Sequence, residues 1–190
     1  VFYAEVDASL VNGLFSGSAP PAGDSTLALA GNPAPVAGGT YSLFFFEPPG
    51  VNAFDDVAFN ALLDGVPGFS GLFLRAGSGG HLLVVRNGDT VPDTGGGSFG
   101  FFSDNPQLPM GDPSEVLLFR APLDGGSATS GIFGAQVGSP FVWVLEGDTA
   151  PDTGGGAYSS FDWRPTYGAS VPHHVLFQAS VTGGTATSGI

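Results

Sequence analysis

Two pairs of carboxylates, Asp89 with Asp93 and Asp148 with Asp152, stand four residues apart in glycine-rich loops. Loop aspartates beside free backbone carbonyls are the oxygen donors that calcium takes as ligands. The same pattern also describes a capped turn, in which Asp accepts from nearby backbone N–H groups and consecutive glycines supply left-handed conformations. An earlier copy of the loop has Asn32 and Val36 in place of both acids, which favours the turn. Calcium is the one cofactor to look for, on Asp89, Asp93, Asp148 and Asp152. The histidines are His81, His173 and His174. Adjacent residues on a strand point to opposite faces, so His173 and His174 make a poor metal pair, and solvent-facing or turn roles are expected. Nucleophile elbow, phosphate loop and metalloprotease helix motifs are missing from the sequence. The acids gather in repeated turns, unlike the isolated carboxylate pair of a glycosidase. The chain reads as no enzyme. Trp143 and Trp163 are expected to pack in a core or subunit contact, although loop aromatics can also stack on sugars.

The loops that carry these acids are copies of one another. Gly88-Asp89-Thr90-Val91-Pro92-Asp93-Thr94-Gly95-Gly96-Gly97-Ser98-Phe99 returns as Gly147-Asp148-Thr149-Ala150-Pro151-Asp152-Thr153-Gly154-Gly155-Gly156-Ala157-Tyr158. A worn copy runs from Gly31 to Tyr41. The loop proline recurs at Pro35, Pro92 and Pro151, in steps of 57 and 59 residues. A phenylalanine two residues before an alanine recurs at Phe2, Phe59, Phe119 and Phe177, in steps of 57, 60 and 58. Gly13-Leu14-Phe15, Gly71-Leu72-Phe73, Gly131-Ile132-Phe133 and Gly189-Ile190 keep the same spacing. Landmarks that agree on one period mark a tandem repeat. The expected units are 1–56 (divergent), 57–114 and 115–173, with 174–190 as the first strand of a further unit.

Each unit needs four strands to place its loop. In the middle unit Val57–Leu63, Ser70–Ala76, His81–Arg86 and Ser98–Phe102 are apolar at strand spacing, with Gly and Pro turns between them. The next unit repeats the plan at Val116–Ala121, Gly131–Ala135, Phe141–Leu145 and Ala157–Phe161. The first fits at Phe2–Val6, Gly13–Gly17, Leu27–Ala30 and Tyr41–Phe46. No window sustains a helical stripe. The expected fold is all-β: tandem four-stranded antiparallel sheets of about 58 residues each, arranged like propeller blades or as a stacked array.

Composition narrows the partners. With four arginines, no lysine and a formal net charge of −13, the chain lacks the basic surface that nucleic-acid backbones require. No apolar run reaches the length of a membrane span. Without cysteine there is neither a disulfide nor a thiolate metal site. An acidic, lysine-free surface suits solubility outside the cell.

The patterns Gly-Asp-x-Ala/Val-Pro-x-Thr-Gly-Gly-Gly-x-aromatic, Val-x-Phe-x-Ala-x-Leu and Ser-Gly-Ile/Leu-Phe resemble the NxxGxxAF-type tandem repeats of bacterial "choice-of-anchor" surface proteins. The resemblance implies secretion, an anchor whose type varies between members, and a propeller-like or array-like all-β fold. It supplies no enzymatic activity and no ligand. The name-giving Asn-x-x-Gly segment is replaced at 104–118 and 162–176.

One more expectation comes from phase. The pattern opens on a first strand and closes after another copy of it, so His174, Val175, Leu176, Phe177, Gln178 and Ala179 read as a strand without a sheet. Such a strand can join a neighbouring subunit, with Val1, Phe2 and Tyr3 at the receiving end, and a contact of this kind that does not close builds a filament. The expected function is a secreted structural repeat protein whose partner is itself, as a homopolymer or longer repeat array. The alternative is a surface propeller that binds a carbohydrate through its loops.

Overall fold

The computed structural model describes residues 2–6, 11–17, 25–45, 47–77, 79–110, 116–162, 164–168, 174–185 and 188–189. Among them every regular element is a strand. Among the described residues no helix is long and apolar enough to cross a membrane. Strands β1 (Phe2–Val6), β2 (Val11–Ser16) and β3 (Ser25–Leu29) make a first antiparallel sheet in that order. A second runs β4-β6-β7-β8 from β4 (Thr40–Phe44), β6 (Val57–Asp64), β7 (Ser70–Arg75) and β8 (His81–Arg86), with β5 (Gly50–Val51) also paired to β6. The third is β9 (Ser98–Phe99), β10 (Leu117–Asp124), β11 (Ser130–Gln136) and β12 (Ser139–Leu145). The fourth joins β13 (Ala157–Phe161), β16 (Ala179–Thr182) and β17 (Ser188–Gly189), while β14 (Thr166–Tyr167) and β15 (Val175–Leu176) pair beside it.

Strand pairing crosses the unit boundaries read from the sequence. β4 leaves the segment 1–56 to pair with β6, β9 leaves 57–114 to pair with β10, and β13 leaves 115–173 to pair with β16. The fourth strand of each expected unit therefore opens the next sheet. The strand expected to lack a sheet has one. Ala179 lies opposite Phe161 and Thr182 opposite Ala157, and the other edge of β16 carries β17. Val175 and Leu176 pair with Tyr167 and Thr166. Ala179 and Ser180 are thus bonded along both edges within the chain, and Val175 and Leu176 along one.

Apolar side chains on alternate positions put a core between each successive pair of sheets. Leu14 and Ala28 of the first sheet pack with Tyr41, Phe44, Phe59 and Phe73 of the second. Leu72, Leu74 and Val84 of the second meet Phe99, Phe102, Phe119 and Phe133 of the third. Leu118, Ile132 and Val144 of the third meet Phe161 and Ala179 of the fourth. Cross-strand register places Phe2 opposite Phe15, Phe59 opposite Phe73 and Phe119 opposite Phe133. Tyr41, Phe59 and Phe73 have ring centroids 5.1–6.0 Å apart, and Phe99, Phe119 and Phe133 lie 5.1–5.7 Å apart. Each such ring buries enough area to contribute about 1.5–3 kcal/mol. Glycine precedes the last ring by two residues because a Cβ on Gly131 would meet Leu145 and Phe133 at 2.8 Å.

Candidate functional site

The repeated loop builds a short hairpin that leads from one sheet into the next. Gly88 N–H donates to Phe99 O at 2.8 Å, Phe99 N–H to Asp89 O at 2.9 Å and Val91 N–H to Gly97 O at 2.9 Å. The copy at 147–158 repeats the three bonds at 2.8–3.0 Å, and the worn copy keeps its own set, including Gly31 N–H to Tyr41 O at 2.7 Å. The aspartates serve this turn. Arg86 N–H donates to Asp89 Oδ2 and Leu145 N–H to Asp148 Oδ2, each at 2.8 Å. Asp93 and Asp152 hold the left-handed region, at φ 60° and 59°, which Asp tolerates better than most residues. Thr94, fully buried, donates to Val91 O at 2.9 Å and accepts from Gly97 N–H at 3.1 Å. Thr153 repeats the pair at 2.7 and 3.0 Å. Among the described residues no group of three or more His, Cys, Asp or Glu side chains is close enough to hold a metal ion.

The loop also grips the following sheet. Ser127 N–H, in the β10–β11 turn, donates to Thr94 O at 2.7 Å, and Thr185 N–H donates to Thr153 O at 2.6 Å. Gly126 and Gly184 stand at φ 79° and 65°, where a side chain would collide with those same threonine carbonyls. A second staple lies nearer the connections. Asn60 Nδ2 donates to Phe102 O and Arg120 Nη1 donates to Phe161 O, both at 2.7 Å. The residues after Phe59 and Phe119 thus each tie their strand to the next sheet's first strand or the segment just after it.

The segments that leave β4, β9 and β13 run together. Asn105 Nδ2 donates to Glu47 O at 2.5 Å, and Asn105 Oδ1 accepts from Asn60 N–H at 2.7 Å. Arg164 pairs with Glu47 and reaches Pro48 O at 3.5 Å, while Arg120 pairs with Asp104 at 3.3 Å. Burial lowers the Arg164 pKa from its ordinary value. Phe101 stacks on Phe69 at 5.5 Å and leans on Phe45 at 5.8 Å; Phe69 is 55% exposed. Loop aromatics, acids and arginines therefore meet at this end. Sequence spacing alone did not single them out, because they come from three connections.

The DUF7453 family, described as a family of unknown function, matches residues 1–111. The chain belongs to DUF7453. No curated protein and no solved structure matches it. The part matched to DUF7453 takes in the first two copies of the loop and the Tyr41, Phe59 and Phe73 ring group.

Other residues of this DUF7453 chain depart from expectation. His81 is neither solvent-facing nor in a turn. It opens β8, half-buried, with Nδ1 2.9 Å from the Tyr41 hydroxyl and its ring edge-on to Tyr41 and Phe59. Burial first, then the Arg75 charge, lowers its pKa, against a hydrogen bond to the Leu27 backbone. Burial also raises the Tyr41 pKa. Trp143 is not packed in a core: it is 42% exposed beside Phe141, their centroids 5.7 Å apart. Trp163 and His173 lie outside the described residues, as does Val1. Phe2 and Tyr3 pair with Phe15 and Leu14 along β1. His174 O accepts from Gly168 N–H at 2.7 Å, Gln178 O accepts from Asp162 N–H at 3.1 Å, and Phe177 packs against Tyr158 and Phe161 at 5.7 Å.

Proposed function

We propose that the chain is a structural repeat module of a secreted or cell-surface protein, and that it associates with copies of itself by packing sheet on sheet. The observation that carries this reading is the environment of Trp143. Leu83 and Val142 hold the same register, opposite Phe73 and Phe133, so Trp143 takes the place on β12 that Val84 takes on β8. Val84 is 2% exposed under the following sheet, whose Gly138 N–H donates to Val84 O at 3.1 Å. Among the described residues Trp143 has no such cover, and it remains 42% exposed. An uncovered apolar position whose counterpart is buried by a copy of the same sheet fits a second copy. The recurrent staples and ring groups support a chain of blade-like sheets, and the resemblance to choice-of-anchor repeats supports a place outside the cell. Packing of faces replaces exchange of the 174–190 strand, which already has partners.

Light scattering on the purified chain over a range of concentrations tests this reading, in calcium and in chelator. The expected result is mass that grows with concentration, is the same in both buffers, and falls to the monomer for Trp143→Ser. A monomer throughout overturns the assembly. Dependence on calcium would make Asp89, Asp93, Asp148 and Asp152 ligands.

A second reading, a surface module that binds carbohydrate through its loops, draws on the exposed Phe69–Phe101 stack beside Glu47 and Asp104. Aromatic faces of this kind take sugar rings. Retention of the chain by immobilised polysaccharide, lost on Phe69→Ser, would favour it.

A further inference from the structure

A shallow, largely open cavity of about 410 Å³ lies between the first and second sheets. Leu27, Pro33 and Pro35 form one side, and Arg75 and His81 the other. Arg75 and His81 are direct cross-strand partners on β7 and β8, so their side chains share a face. Of the four arginines, Arg86, Arg120 and Arg164 each have an acid partner, at Asp89, Asp104 and Glu47. Among the described residues Arg75 makes no ion pair. Among the described residues of a chain of net charge −13, one guanidinium thus has no acid partner and sits half-buried beside a second basic group. That arrangement asks for an anion.

The remaining lining narrows its chemistry. Pro33 and Pro35 have no N–H, and Ala34 N–H is spent on Gly39 O at 2.9 Å. Gly79 N–H donates to Ala76 O at 2.8 Å. The His81 ring is held by the Tyr41 hydroxyl and the Leu27 backbone. Arg75 is therefore the charged donor of the cavity, and the proline wall offers carbonyl acceptors and ring C–H surface. A planar fork of donors matches a carboxylate, and free acceptors match hydroxyl groups. The acidic field of the whole chain favours a single negative charge over a dianion. We infer that this cavity binds a small monocarboxylate bearing hydroxyl groups, of the class of a sugar acid.

Titration calorimetry with glucuronate, with ring-proton NMR of His81 as a second readout, tests the inference. Saturable heat and a shifted His81 resonance are expected with glucuronate, and neither with glucose or inorganic phosphate. Arg75→Met should weaken binding about tenfold or more, the loss of a charge-assisted hydrogen-bond pair. Arg86→Met, whose arginine lies outside the cavity lining, should leave it unchanged. Absence of glucuronate binding, equal binding by Arg75→Met, or equal binding of phosphate would each overturn the assignment. The readout does not depend on self-association, so this inference and the proposed assembly stand or fall separately.

Discussion

At the scale of the residue, the side chains that look most chemical divide into those that close turns and those that sit between sheets. Asp89 and Asp148 each take a backbone N–H, whereas the worn loop, with Asn32, keeps its turn through backbone bonds. His81 has a different role, wedged between the sheets with a proton affinity lowered by burial and by Arg75. In the unfolded chain it titrates near its ordinary value of 6.5. A lowered folded pKa means that the unfolded state takes up the proton first as the pH falls. Stability from this residue is therefore complete above about pH 6.5 and drains away below it, until the folded form also protonates. The slope is at most about 1.4 kcal/mol per pH unit. Urea denaturation across this range should show the decline, and His81→Gln, which keeps an acceptor for the Tyr41 hydroxyl, should remove that share of it. An identical pH profile for the variant would refute the assignment.

At the scale of the element, the repeated loop and the turn it grips behave as one part. Gly126 needs both its left-handed φ of 79° and the space next to the Thr94 carbonyl, whereas a Cβ on Gly125, at φ 74°, would meet nothing within 4 Å. Gly126→Ala should cost about 1–3 kcal/mol, the sum of backbone strain and a displaced clasp. Gly125→Asn should cost well under about 1 kcal/mol, since Asn visits the left-handed region readily. Equal losses in urea midpoints would mean that the clasp contributes nothing. Strands were the most legible elements: His81–Arg86 and Ala157–Phe161 fall where period-two patterning puts them. What the pattern concealed was pairing. The repeat Val-x-Phe-x-Ala-x-Leu identifies a strand but not its neighbour, because alternation reports which face is buried and says nothing about which ladder lies alongside. The clasp from Thr94 to Ser127 was hidden for a related reason, since hydrogen bonds between backbone groups leave no mark on residue type beyond the glycine they require.

At the scale of the molecule, the question is what holds successive sheets in a common arrangement. The cores join neighbours only: first with second, second with third, third with fourth. Glu47 and Arg164 are different, because they link the connection that follows β4 to the one that follows β13, across 117 residues of sequence. It is a contact between connections of the second and fourth sheets, which share no core cluster. The pair is partly exposed, so Glu47→Gln should change overall stability by only about 1 kcal/mol or less. Its effect should be local. With the tie cut, the fourth sheet keeps only the single core it shares with the third, and its cheapest opening is to swing away alone. Hydrogen exchange should therefore quicken several-fold along β13 and β16, while β10 and β11, clamped by cores on both faces, keep their protection. Uniformly faster exchange would show that the tie belongs to global stability, and no change at all would show that the cores hold the fourth sheet without it.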